Sequence, residues 1–269
     1  MNADIERLTG DYKIGFGLWK VTDEQKFNES FETAIDAGYR HFDSAQVYGN
    51  EQLLGRAWLA SGVPRDELFL TTKIGIHNFG ARKTPRSFAE SLEKLQTEYV
   101  DLLLLHFPVS LLRKKAWLAL EKIKQDGGAK LIGVSNYTIR HLEEMKSYAS
   151  EMPAVNQVEL HVFLQQPELA EYCREHDIVL EAYSPIAHAK DMKNEMIQAI
   201  ADKHGKSYAQ IMLRWCLQAG FVVLPKSVTP KRIKENIDIL DFSLDADDMM
   251  QLATLDRDLR TCWNPSRVP

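Results

Sequence analysis

Three ionisable side chains of different chemistry close three successive apolar runs. Tyr39-Arg40-His41-Phe42 leads into Asp43, Leu68-Phe69-Leu70-Thr71-Thr72 into Lys73, and Val100-Asp101-Leu102-Leu103-Leu104-Leu105 into His106. A phenol, Tyr48, follows shortly after the first run. Taken singly, each has an ordinary explanation: a helix cap for Asp43, a solvated cation for Lys73, a core imidazole for His106, a packing ring for Tyr48. Together they have a chemical logic. A phenol with its ordinary pKa of about 10 is too weak an acid to release a proton readily at neutral pH. An ammonium within ~4–6 Å favours the phenolate and lowers that value. A carboxylate beside the ammonium keeps it charged when buried. The expected chain is therefore Asp43 holding Lys73 and Lys73 acidifying Tyr48, with a neutral His106 free to hydrogen-bond a substrate oxygen. Such an acid, without an activated nucleophile, suits protonation of a carbonyl oxygen while hydride arrives from a cofactor.

These residues need a scaffold that gathers separate run ends. Eight strand-like runs recur along the chain: 14–17, 39–43, 68–73, 100–106, 130–135, 154–159, 178–183 and 221–225. Between them lie segments such as 24–37, 86–95, 116–125, 139–148, 167–176 and 208–219, whose apolar positions repeat with a period near ~3.6. Runs such as Val100–Leu105 are apolar on both faces, the condition of a parallel sheet covered by helices on both sides. Eight β-then-α units in 269 residues predict an α/β fold, a closed (β/α)8 TIM barrel occupying residues 1–269 as one domain. A doubly wound dinucleotide-binding sheet would carry Gly-x-Gly-x-x-Gly after its first strand. Here Gly15-Phe16-Gly17-Leu18-Trp19-Lys20 lacks the third glycine. Two additions are expected: a small hairpin over Ile5–Lys13, from the Thr9-Gly10-Asp11 turn signal, and a final helix over Ser243–Leu255 capped by Ser243 or Asp245. In a barrel the functional face is where strands end, so the three ionisable run ends converge there.

Composition narrows the partners. Net charge is −5 and pI about 5.9, without the basic stripe of a nucleic-acid binder. The densest cationic cluster, Arg113-Lys114-Lys115, reads as a solvated helix start. No segment approaches the ~20 apolar residues of a membrane helix, and the first residues lack a signal peptide's apolar stretch. Cys173, Cys216 and Cys262 are isolated and odd in number, which suits a reducing cytoplasm, and no metal-ligand cluster is evident.

The segment Gly38-Tyr39-Arg40-His41-Phe42-Asp43-Ser44-Ala45-Gln46-Val47-Tyr48-Gly49-Asn50-Glu51 resembles the signature of the aldo-keto reductases. The resemblance covers nearly the whole chain and looks closest to bacterial reductases of 2,5-diketogluconate, methylglyoxal and related small carbonyls. It implies NADPH as cofactor, Tyr48 as proton donor tuned by Lys73 and Asp43, and His106 as the residue orienting the carbonyl. It also implies that Ser135, Asn136 and Gln157 hold the nicotinamide carboxamide, that Tyr183 stacks on the nicotinamide, and that Ser184 and Pro185 lie near the pyrophosphate. Lys226, Ser227, Val228, Arg232, Glu235 and Asn236 match the segment gripping the adenosine end. Cations and a hydroxyl at a strand end and helix start suit a 2′-phosphate on physical grounds as well. The family's preference points to a monomer.

Relatives near this branch often carry Trp after the catalytic His, where this chain has Phe107. The loop 108–115 and the tail after Trp263 are short. A shorter wall implies an open substrate site of modest discrimination, lined by Trp19, Tyr48, His77 and Phe107. Two other readings stand beside reduction: a barrel lyase using Lys73 as a Schiff base, and a cofactor-binding barrel without turnover.

Overall fold

The computed structural model describes residues 2–189 and 194–269. Eight strands form one parallel sheet in sequence order: β1 (Gly15–Gly17), β2 (His41–Asp43), β3 (Phe69–Ile74), β4 (Val100–Leu105), β5 (Ala129–Ser135), β6 (Val155–Glu159), β7 (Val179–Tyr183) and β8 (Val222–Leu224). The sheet curls until its edges meet. Ile14 bridges Val223 in parallel, Val223 N–H donates to Lys13 O at 2.9 Å, and Gly17 N–H donates to Pro225 O at 2.9 Å. This is the expected (β/α)8 barrel, with strand limits within two residues of those the runs predict.

The two-faced runs divide as a closed barrel requires. In β4, Leu102 and Leu104 pack with Phe69, Leu131, Val155 and Val222, while Val100, Leu103 and Leu105 join the larger cluster under the helices. That outer cluster takes Phe27 and Phe31 from α2 (Glu24–Asp36), Leu54 and Trp58 from α3 (Glu51–Ser61), and Phe88 from α4 (Lys83–Leu95). It continues with Trp117 and Leu120 from α5 (Arg113–Gln125), Leu142 and Met145 from α6 (Ile139–Met145), and Leu169 and Cys173 from α7 (Pro167–Glu175). The circuit ends with Ile197 from α8 (Glu195–His204), Trp215 from α9 (Tyr208–Gln218) and Ile233 from α10 (Pro230–Ile237). Each fully buried large aliphatic or aromatic side chain stabilises by about 1.5–3 kcal/mol, so helices and sheet hold each other in place. Gly15 is dictated by the seam: a Cβ there would lie 2.5 Å from Leu224 and 2.7 Å from the His41 ring.

Two sequence expectations are corrected at the periphery. The segment expected as a hairpin begins instead with a helix, α1 (Ala3–Thr9). Asn2 accepts from Asp4 N–H at 2.9 Å as its cap, with Asp4 and Glu6 in the first turn and Arg7 in the last, as the helix dipole favours. Burial decides the matter: Leu8 and Tyr12 plug the cluster of Phe69, Leu102 and Leu104, closing the end of the barrel opposite the strand C-termini. Arg113 is not solvated either. It is 6% exposed at the start of α5, donating to Pro108 O and to Glu144 and Pro269. The final helix is present as α11 (Ala246–Ala253), with Asp245 rather than Ser243 as its cap. Among the described residues no helix is long and apolar enough to cross a membrane.

Candidate active site

The strand ends do converge. Asp43 is the last residue of β2, Lys73 lies near the end of β3, and His106 follows β4 directly. Lys73 Nζ lies 2.5 Å from Asp43 Oδ1, donates to Ser44 O at 2.9 Å, and stands 3.5 Å from the Tyr48 hydroxyl. Its side chain has no exposed surface, so the buried ion pair with Asp43, together with those two oxygens, compensates its desolvation. The Tyr48 ring meets His106 edge to face at 5.7 Å between centroids.

Tyr48 is set by residues around it. It sits on a single helical turn, Gln46–Tyr48, that ends at Gly49 with φ 69°, a left-handed conformation glycine adopts without strain. Gln46 bolts that turn to two elements. Its Nε2 donates to Ser87 O at 3.1 Å and Ser91 Oγ at 3.0 Å on α4, and its Oε1 accepts from Gly75 N–H and Asn78 Nδ2, both at 2.8 Å. Ser44 donates to Asn50 Oδ1 at 2.8 Å, while Asn50 Nδ2 donates to Leu18 O and Val21 O. Gln46 and Asn50 are thus supports that the sequence offered inside the signature, where residue type alone assigned them nothing.

Burial adds a second influence to the expected chain. Burial pushes the Tyr48 phenol well above its ordinary value, and the Asp43 charge adds to the effect. Against this the ammonium, 2.5 Å from Asp43 and 3.5 Å from the phenol, is shared between the two. Tyr48 therefore keeps its proton at neutral pH, as a donor must, and Lys73 stands ready for the phenolate that donation creates. Burial, helped by the Lys73 cation, lowers His106 to about 3. Its imidazole is neutral, and its buried Nδ1 has no hydrogen-bond partner among the described residues.

A cavity of about 770 Å³ opens over these groups, lined by Asp43, Tyr48 and His106. Its wall also contains Ser135, Asn136, Gln157, Tyr183, Ser184, Pro185 and Lys226, residues on or just after four further strands. Tyr183 donates its hydroxyl to Asn136 Oδ1 at 2.7 Å, and Asn136 Nδ2 donates to Ser135 Oγ at 3.0 Å and His106 O at 3.2 Å. This volume is in the range of small-molecule and cofactor sites, about 300–1,000 Å³. A flat aromatic wall, clustered amides and a cation at one end fit an aromatic, amide-bearing, anionic group such as a nicotinamide dinucleotide. Beyond Lys226, buried Ser227 accepts from Thr229 N–H at 3.1 Å, ahead of α10. Val228 and Arg232 are exposed there, Glu235 is half-buried and Asn236 buried, and no acid occupies the helix's first turn.

The substrate wall differs from expectation in two places. Trp19 and Tyr48 line the cavity, but His77 lies on a short helical turn after β3, exposed and outside it. Phe107 is not in the lining itself; it packs edge-on against Trp263 at 5.7 Å. Val47, His188, Cys262 and Trp263 complete the mouth. The tail contributes because Glu159, ending β6, accepts from Thr261 N–H at 2.6 Å and Cys262 N–H at 3.1 Å, a link no local pattern announces. Among the described residues no group of three or more His, Cys, Asp or Glu could hold a metal ion.

Comparison with known proteins agrees with this geometry. The model of the Aldo/keto reductase family matches residues 13–257. The chain is 44% identical over 255 residues to a glyoxal reductase of Bacillus subtilis, covering 95% of this chain and 92% of that protein. It is 38% identical to methylglyoxal reductase DkgA of Escherichia coli O157:H7, covering 95% and 93%. Among solved structures it is similar to a variant of Gox0644 in complex with NADPH, with a TM-score of 0.90, 37% identity and coverage of 96% and 94%.

Proposed function

The chain belongs to the aldo/keto reductase family, and on that premise we propose that it reduces small aldehydes, ketones or keto-sugars to alcohols with NADPH, Tyr48 giving the proton. The observation that carries the assignment of roles is one ammonium shared between a carboxylate at 2.5 Å and a phenol at 3.5 Å, beneath a cavity of about 770 Å³. Ser135, Asn136, Gln157 and the Tyr183 face would hold the cofactor's nicotinamide end, Ser184 and Pro185 its pyrophosphate, and Lys226 to Asn236 its adenosine end. When bound, NADPH supplies the hydride that the carbonyl carbon accepts.

The chain's own groups do the rest. Neutral His106 hydrogen-bonds the carbonyl oxygen and fixes its aim at Tyr48. Tyr48 passes its proton to that oxygen, and the phenolate left behind meets Lys73, whose charge Asp43 keeps in place. Burial of the pair excludes water and strengthens each of these interactions. Cofactor binds before substrate, the mouth is shared by few selective contacts, and the protein acts as a cytoplasmic monomer without nucleic-acid partners, residues 1–269 serving as one domain.

The Schiff-base reading is disfavoured, since Lys73 is fully buried and held by Asp43 and Ser44. Tyr48→Phe tests the proposal. Turnover of methylglyoxal should fall by about 10²–10⁴-fold while NADPH affinity, read by fluorescence quenching, stays within a few fold. Activity surviving in the variant would remove Tyr48 from its role; wild-type NADPH binding without turnover of any carbonyl would favour the non-catalytic barrel.

A further inference from the structure

Beneath the cavity one carboxamide serves two carboxyl groups. Gln157 Nε2 donates to Asp43 Oδ2 at 2.8 Å and to Glu181 Oε2 at 2.8 Å. Glu181 lies on β7, in parallel register with Gln157 on β6, and is 0% exposed. Its second oxygen, Oε1, has no hydrogen-bond partner among the described residues. The charges acting on it are Asp43 on β2 and Lys73 on β3, while its register partner on β8 is the apolar Val222.

Counting charges shows what this arrangement tolerates. The array holds one cation, Lys73, and Asp43 already neutralises it at 2.5 Å. A second carboxylate would be desolvated, uncompensated and bare at one oxygen, the costliest state for a buried acid. We propose that Glu181 is a positioning residue of the proton-transfer array: held as the neutral acid, it leaves Gln157 to brace Asp43 against Lys73. When it ionises, its negative charge strengthens its own hold on the shared carboxamide and turns part of the ammonium's field away from the Tyr48 phenolate. Burial first and the Asp43 charge second raise the Glu181 carboxyl to about 8, against the opposing pull of Gln157 and Lys73, so the change falls in mildly alkaline solution. The inference rests on the proposed reduction only for its rate readout.

Glu181→Gln keeps the shape and the Gln157 contact but cannot ionise. Infrared difference spectroscopy of the free protein between about pH 6 and about pH 9 reads the acid directly. Wild type should lose a protonated-carboxyl band over that interval, and the variant should lack that band. In parallel, the variant-to-wild-type ratio of kcat should rise at least ~3-fold across the same interval, because only wild type gains the extra charge. Superposable pH profiles and unchanged infrared bands in the two proteins overturn the proposal. Should the variant fail to fold, wild type still decides against it if no carboxylic-acid band is present at about pH 6. The spectroscopic arm stands whether or not the chain reduces carbonyls, so the two proposals fail separately.

Discussion

Asp43 and Lys73 form an ion pair 2.5 Å long whose lysine side chain is fully enclosed and whose aspartate is 6% exposed. Enclosure makes the partners interdependent, because neither charge has water to fall back on.

Removal of one partner should therefore cost stability as well as rate. Asp43→Ala leaves an uncompensated buried ammonium and is expected to destabilise the fold by about 3–5 kcal/mol. Asp43→Asn, which keeps the contact with Gln157, should fold better yet lose most of its turnover. Urea unfolding and steady-state kinetics on the two variants separate these effects; equal stability of Asp43→Ala and wild type would show the pair to be solvated.

His106 gives a pH prediction of definite sign. Its imidazole is depressed to about 3 in the fold, while an unfolded chain protonates it near ~6.5. Between those values the unfolded state binds the extra proton, so this residue lowers stability as pH falls through the window. His106→Gln should flatten that part of the stability–pH curve. Proton NMR of the wild-type ring should show it still neutral near pH ~4.

The cations before and within α10 should discriminate between cofactors. Lys226→Ala combined with Arg232→Ala is expected to weaken NADPH binding by at least ~10-fold and NADH much less, since only the former carries a 2′-phosphate. Titrations with both nucleotides test this, and an equal loss would mean that the cations do not read that phosphate.

Glu159→Ala should loosen the mouth rather than the chemistry. Its carboxylate accepts from Thr261 N–H at 2.6 Å and Cys262 N–H at 3.1 Å, so the variant leaves donors unpaired beside Trp263. KM for the carbonyl substrate should rise several fold with kcat nearly intact, and amide exchange at 261–263 should quicken. An unchanged KM would show that the tail does not shape the substrate site.

The legible parts of this protein are those governed by local rules. Eight apolar runs gave the barrel, and Asp43, Lys73 and His106 were visible because each ends a run. Ser135, Asn136, Gln157 and Tyr183 required the family resemblance, though Ser135 and Tyr183 end strands, Asn136 follows one and Gln157 lies within another. What escaped depended on distant contacts. The helix at Ala3–Thr9 exists because Leu8 fits the barrel's closed end. The inward setting of Cys262 and Trp263 is imposed by Glu159. His77 was expected in the substrate wall, but the turn Ile76–Asn78 carries it outside the cavity. Even the proton chemistry needed geometry, since the depth of burial holds the Tyr48 phenol above its ordinary range and only the fold brings one lysine within reach of both carboxylate and phenol.

The seam between β1 and β8 has a consequence for how the molecule is made. Ile14 and Val223 come from nearly opposite ends of the sequence, yet they complete the ring. A nascent chain emerging from the ribosome must hold its first strand unpaired on one side until almost everything else has been synthesised. Such long-range pairing is slow to form, and the interval exposes a ready strand edge that a neighbouring polypeptide could capture.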